Sequence, residues 1–138
     1  MPDGHSRVYL DTCVFLDYIN DHPDRASTIE AVLAEGRRIG VRLYTSILTT
    51  VEVAFGALEQ RQAALDQEVE ERIEKLWLPG SAVELIEYYR LIGDDARGLM
   101  RQAITRGWSL KAMDAIHLST ARRVEAQEFF TYEPRLAG

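Results

Sequence analysis

Asp11, Glu52, Asp114 and Glu133 are four carboxylates spread over nearly the whole chain, each where a strand is expected to end or a helix to begin. Residues so far apart form one site only if folding gathers them. In open parallel α/β sheets, ligands bind in the crevice outside the carboxyl ends of the strands. Acids collected there make an oxygen-only donor set suited to a hard divalent cation and to phosphate chemistry. The chemistry expected is that of a metal-dependent nuclease. Each acid also has an ordinary reading. Asp11 ends an apolar run and stands where Asp often caps a helix, next to a helix amino terminus that favours an anion. Glu52 on a polar helix face and Glu133 after a strand read equally as solvated charges. Asp114 is the sole charged side chain from 112 to 121. A helix that apolar is normally buried, and a buried carboxylate must take a proton, pair with a base or bind a metal. Lys111 and His117, three residues to either side, are the local alternatives, Lys111 by direct pairing.

The elements that must position these acids follow from periodicity and punctuation. Val8, Tyr9 and Leu10 form a short apolar strand feeding a helix over 12–19 with Val14, Phe15 and Ile19 apolar. Pro23 and Asp24 start a helix over 25–38, stopped by Gly40. Residues 41–45 alternate and are rich in β-formers, and Ser46 can cap the next helix, in which Ile47, Leu48, Val51, Ala54, Phe55 and Leu58 recur at helical spacing. Glu52 lies off that stripe, beside Thr49 and Gly56. The segment 61–76 is charged with sparse apolar positions at Leu65, Val69, Ile73 and Leu76, the pattern of a surface helix. A short strand over 82–86 leads into a helical region reaching 106, with weak points at Gly93 and Gly98. A helix over 110–123 and a strand over 128–131 complete the chain. Strands alternating with helices predict an α/β fold: a mostly parallel central sheet of four or five strands, flanked by helices on both faces.

At 138 residues the length fits one domain spanning 1–138. No apolar run approaches the roughly 20 residues of a membrane-spanning helix, and the start lacks the basic segment and apolar core of a signal peptide. Cys13 is the only cysteine, which excludes an internal disulfide and fits a reducing cytoplasm. Net charge is −6, unlike the basic surface of a general nucleic-acid binder. The distribution is uneven, however. From 59 to 87 eight acids face Arg61, Arg72 and Lys75, whereas from 97 to 123 Arg97, Arg101, Arg106, Lys111, Arg122 and Arg123 face Asp114 alone.

Four segments in order carry a resemblance over nearly the whole chain: Val8-Tyr9-Leu10-Asp11-Thr12, Thr45-Ser46-Ile47-Leu48-Thr49-Thr50-Val51-Glu52, Met113-Asp114-Ala115-Ile116-His117-Leu118 and Phe130-Thr131-Tyr132-Glu133. Each is degenerate; together they resemble the PIN domain, a family of Mg²⁺- or Mn²⁺-dependent ribonucleases, and most closely the VapC-type toxins of toxin–antitoxin pairs. The resemblance implies that Asp11, Glu52 and Asp114 form the acidic centre. The family's fourth acid is commonly Asp two residues after a Thr; here Glu133 takes that place with a longer arm. Thr12 and Thr131 match hydroxyl positions that orient a carboxylate, water or phosphate. The implied protein is a cytoplasmic endoribonuclease, usually homodimeric, held inactive by a cognate antitoxin. The acidic 61–76 arm and the aromatic stretch around Tyr88 are candidate contact surfaces.

Other residues have simpler expectations. His117 reads as a core residue or one supporting a ligand, Cys13 as a small buried residue, and Asp94 and Asp95 as a solvated helix segment. Trp77, Trp108, Tyr88 and Tyr89 fit helical packing or a partner interface better than base stacking. A dehalogenase-like phosphotransferase requires a second acid two residues after Asp11, where Cys13 stands. A PIN-like interaction module without activity, or a housekeeping PIN nuclease, are the alternatives to the toxin.

Overall fold

The computed structural model describes residues 6–38, 40–61 and 67–133. Its strands lie where β-forming runs end against turn signals: β1 (Ser6–Leu10), β2 (Val41–Ser46), β3 (Val83–Ile86) and β4 (Glu128–Phe130). The described helices are α1 (Thr12–Ile19), α2 (Ala26–Glu35), α3 (Ile47–Arg61), α4 (Gln67–Trp77), α5 (Arg90–Thr105) and α6 (Ala112–Arg123). Two helix boundaries differ from the periodicity. The helix expected to run to 38 stops at Glu35 with Gly36 as its C-cap, packed so closely that a Cβ there would displace the Leu43 side chain; Gly40, at φ 99°, makes the turn into β2. The helix expected from 110 starts at Ala112, with Lys111 still extended at ψ 155°. Neither Gly93 nor Gly98 interrupts α5. At Gly93 the Tyr88 hydroxyl fills the space that a Cβ would need. The expected helix start at Arg61 adjoins residues 62–66, and Leu65 with them lies outside the described residues.

All pairings are parallel and the strand order is β3-β2-β1-β4. Period-2 alternation divides the strand side chains between the two faces. Val8, Leu10, Leu43, Val83 and Phe130 turn to one face, where they meet Val14, Phe15 and Ile19 of α1, Ile29 and Leu33 of α2, Val53 and Ala57 of α3, and Val69, Ile73 and Leu76 of α4. Tyr9, Tyr44 and Phe129 turn to the other, against Ala121 of α6 and Val124. Helix α5 packs on α6 as an outer layer through Ile92, Ala96 and Ala103. The strands therefore have helices on both faces, as expected.

From β1 the chain builds outward through β2 to β3, then returns to place β4 on β1's opposite side. The order reverses between β1 and β4, and in open α/β sheets ligands bind outside the carboxyl ends of the strands at such a switch point. Asp11 follows β1 and Thr131 follows β4, so both stand at that point. A larger cavity of about 490 Å³ lies elsewhere, between β2, β3 and the turn after α4, and none of the four acids lines it.

Candidate active site

Asp11 is 6 % exposed, and its two oxygens have separate tasks. Oδ1 accepts the Thr12 N–H at 2.9 Å, so Asp11 is the N-cap of α1. Oδ2 accepts the Thr131 hydroxyl at 2.8 Å. The cap and the site role are thus compatible rather than alternative: one oxygen starts the helix and the other joins β1 to the end of β4. Thr131 in turn accepts the Glu133 N–H at 3.0 Å, a local side-chain turn. That turn ties the backbone of Glu133 to Asp11. Beside this bracket, the Tyr132 N–H donates to Cys13 Sγ at 3.3 Å. Burial pushes the Cys13 thiol up, against the pull of its hydrogen bonds to Thr131 and Tyr132. Cys13 is accordingly a protonated packing residue and not a nucleophile.

Glu52 arrives from the second turn of α3, which is anchored twice. Ser46 Oγ accepts the Leu48 N–H at 3.1 Å, the expected cap. Thr45, fully buried, donates to the Leu10 carbonyl at 2.8 Å, leaving its oxygen to accept from Thr49, also 2.8 Å away. Strand β1, strand β2 and the first turn of α3 are thereby fixed together, one turn before Glu52. The carboxylate is half-buried and bonded, not simply solvated: Oε1 takes the Thr12 hydroxyl at 2.6 Å and His117 Nε2 at 2.7 Å. Burial pushes the Glu52 carboxyl up, but the bonds from His117 and Thr12 and the attraction of His117 outweigh it, and the net displacement is downward. Glu52 is therefore an anion at neutral pH, and an ionised carboxylate only accepts, so Nε2 must carry a proton.

His117 is the junction, 2 % exposed. Its Nε2 lies 2.7 Å from Glu52, 3.1 Å from the Thr12 hydroxyl and 3.7 Å from Asp11 Oδ1. Its Nδ1 lies 2.6 Å from the Tyr9 hydroxyl. Burial pushes the Tyr9 phenol far above its ordinary range, so it keeps its proton. The phenol oxygen accepts the Ser46 N–H at 3.1 Å and shares a hydrogen bond with Nδ1. A chain of bonds from the β2 backbone through Tyr9 and His117 holds the Glu52 carboxylate.

Asp114 sits in the first turn of α6, one turn before His117 and on the same face. Its Oδ2 atom is buried. Helix α6 packs on β2, over the face that carries Tyr9. Lys111, the expected local partner, is an exposed residue preceding the helix. The structure joins Asp11, Thr12 and Glu52 directly, brings Thr131 and the Glu133 backbone to Asp11, and sets Asp114 on the helix that supplies His117. Tyr9 went unread in the sequence. Its signal was the alternation of Val8-Tyr9-Leu10, which turns a polar tip toward the face covered by the His117 helix.

Among the described residues, no three His, Cys, Asp or Glu side chains are spaced to cage a cation. Mg²⁺ does not need a cage, since it binds through one or two carboxylates and keeps several waters. The donor set at this site is carboxylate and hydroxyl oxygen, and each Asp11 oxygen retains a lone pair beyond its one strong hydrogen bond. These residues fit a hard divalent ion.

The family model described as PIN domain matches residues 8–137. The chain belongs to the PIN domain family. Solved structures with this PIN fold include Mycobacterium tuberculosis VapC20, titled a sarcin–ricin loop cleaving toxin, at TM-score 0.70 and 15 % identity over 92 % of this chain and 90 % of that one. VapBC2 from Rickettsia felis, bound to a DNA fragment from their promoter, is similar at TM-score 0.66 and 19 % identity, covering 88 % and 85 %. A toxin–antitoxin complex from Klebsiella pneumoniae follows at TM-score 0.62 and 20 % identity, covering 95 % and 91 %. No curated protein matches the sequence. Among the described residues, no helix of this PIN domain is long and apolar enough to cross a membrane.

Proposed function

We propose that this PIN domain is a metal-dependent endoribonuclease acting as the toxin of a toxin–antitoxin pair, with Asp11, Glu52, Asp114 and Glu133 as its acidic centre. The observation that carries the reading is the bracket of Asp11 by Thr12 and Thr131 at the strand-order reversal, with Glu52 held beside it by His117. The toxin and toxin–antitoxin structural neighbours support the toxin assignment and, with it, a cognate antitoxin partner; a homodimer is part of the same proposal.

Asp11 and Asp114 would hold Mg²⁺ or Mn²⁺, and Glu52 and Glu133 would position waters or a second ion. The chemistry a bound ion would supply there is a lowered water pKa for in-line attack on an RNA phosphate and charge compensation at the leaving oxygen. The chain's own residues do the positioning. Thr131 and the Thr12 N–H fix the Asp11 carboxylate in one rotamer. His117 and the Thr12 hydroxyl both occupy Oε1 of Glu52, so Oε2 is the oxygen left to order a water. Burial of Asp11 and His117 limits the solvent that would otherwise weaken these bonds.

Purified protein incubated with a pool of structured RNAs in Mg²⁺, Mn²⁺ or EDTA tests the reading, with Asp11→Asn and Asp114→Asn run in parallel. Metal-dependent cleavage at defined positions, lost in both variants, is the expected result. Full activity in either variant would overturn the assignment of the acidic centre, whereas no cleavage together with no Mn²⁺ binding by calorimetry would replace the nuclease with an inactive interaction module.

A further inference from the structure

The two tryptophans have opposite settings. Trp77 packs edge-on against Phe15 at 5.1 Å, whereas Trp108 is 63 % exposed. Its exposure does not come from a loose loop. Gly107, at φ 75°, donates its N–H to the Ile104 carbonyl at 3.0 Å, and Trp108 donates to the Ala103 carbonyl at 2.8 Å. These are the paired bonds of a Schellman cap, and they fix the backbone beneath the indole. The Arg106 guanidinium lies 5.3 Å from the ring centroid. Next to this pair a cleft of about 270 Å³ opens between α5 and α6, lined also by Leu99, Gln102, Ala103 and Leu118. Leu118 is four residues beyond Asp114 on α6, so the cleft wall is one helical turn from that acid.

We propose that this cleft is an RNA subsite, taking one unpaired nucleobase next to the cleaved bond, stacked on Trp108 and Arg106, with the Gln102 amide at its edge. The proposal rests on the nuclease reading and deepens it. Every base offers a π-face to an aromatic ring or a guanidinium plane, so stacking needs no particular sequence. The Schellman cap holds the indole ready, which lowers the ordering cost of binding. An amide can both donate to and accept from a base edge. The volume lies below the range of about 300–1,000 Å³ for drug-sized ligands, as suits a single ring system. Charge favours a polyanion over an apolar protein segment: Arg106 lines the cleft and is exposed, and Lys111, next in sequence to the lining Leu110, is exposed as well, while Arg97 and Arg122 are engaged by Asp94 and Asp95.

The test uses the full chain carrying Asp11→Asn, so that RNA is retained, titrated with a short fluorescein-labelled single-stranded RNA of mixed sequence in Mg²⁺. Trp108→Ala should weaken binding roughly tenfold, and Trp108→Phe should recover most of that loss. Tryptophan emission should be quenched by RNA in the parent and not in the Ala variant. Arg106→Ala should lower the slope of log Kd against log salt by about one. If the parent binds RNA and Trp108→Ala binds it equally well, the subsite is wrong, the nuclease reading stands and the indole belongs to a protein contact. If the parent binds no RNA and the wild type cleaves none, the nuclease reading itself fails and the subsite with it.

Discussion

Replacing Tyr9 by Phe isolates the strut that holds His117. The ring is fully buried and stacks on Phe129 at 5.4 Å, so Phe preserves its packing and leaves no cavity. Only the hydroxyl is lost, and with it the partner of two buried groups: His117 Nδ1 at 2.6 Å and the Ser46 N–H at 3.1 Å. Leaving a buried polar group without its partner costs about 1–3 kcal/mol. Two such groups sum to about 2–6 kcal/mol, from which relief of burying the phenol itself subtracts; a net loss of about 2 kcal/mol is expected. For a chain of this length that corresponds to a fall in Tm of roughly 6–10 °C. Urea unfolding should show a lower midpoint at unchanged slope, because the surface exposed on unfolding is the same. On the nuclease reading, loosening His117 also frees Glu52, and the cleavage rate should fall ~10-fold with RNA affinity unchanged. A double-mutant cycle with His117→Gln should show that Tyr9→Phe costs less once the imidazole is gone. Stability within about 0.5 kcal/mol of wild type together with unchanged cleavage would refute the strut.

Thr131→Val removes the donor to Asp11 Oδ2 and the acceptor for the Glu133 N–H at similar side-chain volume; about 1–3 kcal/mol should be lost, and Mn²⁺ binding measured by calorimetry should weaken ~10-fold. Unchanged Mn²⁺ affinity would separate the bracket from the proposed metal. Glu52 also gives a pH dependence. Its folded carboxyl titrates below the ordinary value of 4.5, so it binds fewer protons folded than unfolded just below that value. Its contribution is complete above the unfolded pKa and disappears as pH falls through the folded one. Stability measured by urea midpoint should decline below about pH 4.5, and Glu52→Gln should flatten that limb; an identical acid limb in the variant would contradict the shift.

The strands and helices were legible because this chain punctuates them with Gly, Pro and apolar alternation. Helix α5 was the exception in detail: Gly93 and Gly98 weaken it locally, yet the packing of Ile92, Ala96 and Ala103 on α6 keeps it continuous. The position of Asp11 was legible for the same reason as the strands, since it simply follows the end of β1. The side-chain pairings of the site were not. Thr12 meets Glu52 across 40 residues of sequence and Tyr9 meets His117 across 108, and no local pattern encodes such pairs. His117 reads from composition as a core or supporting residue, and it is buried, but its role as a junction arises from partners far away in sequence. Trp108, expected in helical packing or at a partner interface, is not packed within this chain: it stands exposed on a fixed backbone cap.

The Asp11–Thr131 bond spans 120 residues, and this has a consequence for the order of events during synthesis. A nascent chain that has already delivered Asp11, Glu52, Asp114 and His117 still lacks β4, the strand that gives β1 its second neighbour and supplies Thr131. On the proposed reading, the emerging polypeptide carries most of its acids without a completed centre until that strand docks. Long-range parallel pairing is slow to form, so competence arrives late and all at once, leaving an interval in which an inhibitor made alongside it can meet a chain not yet able to cut.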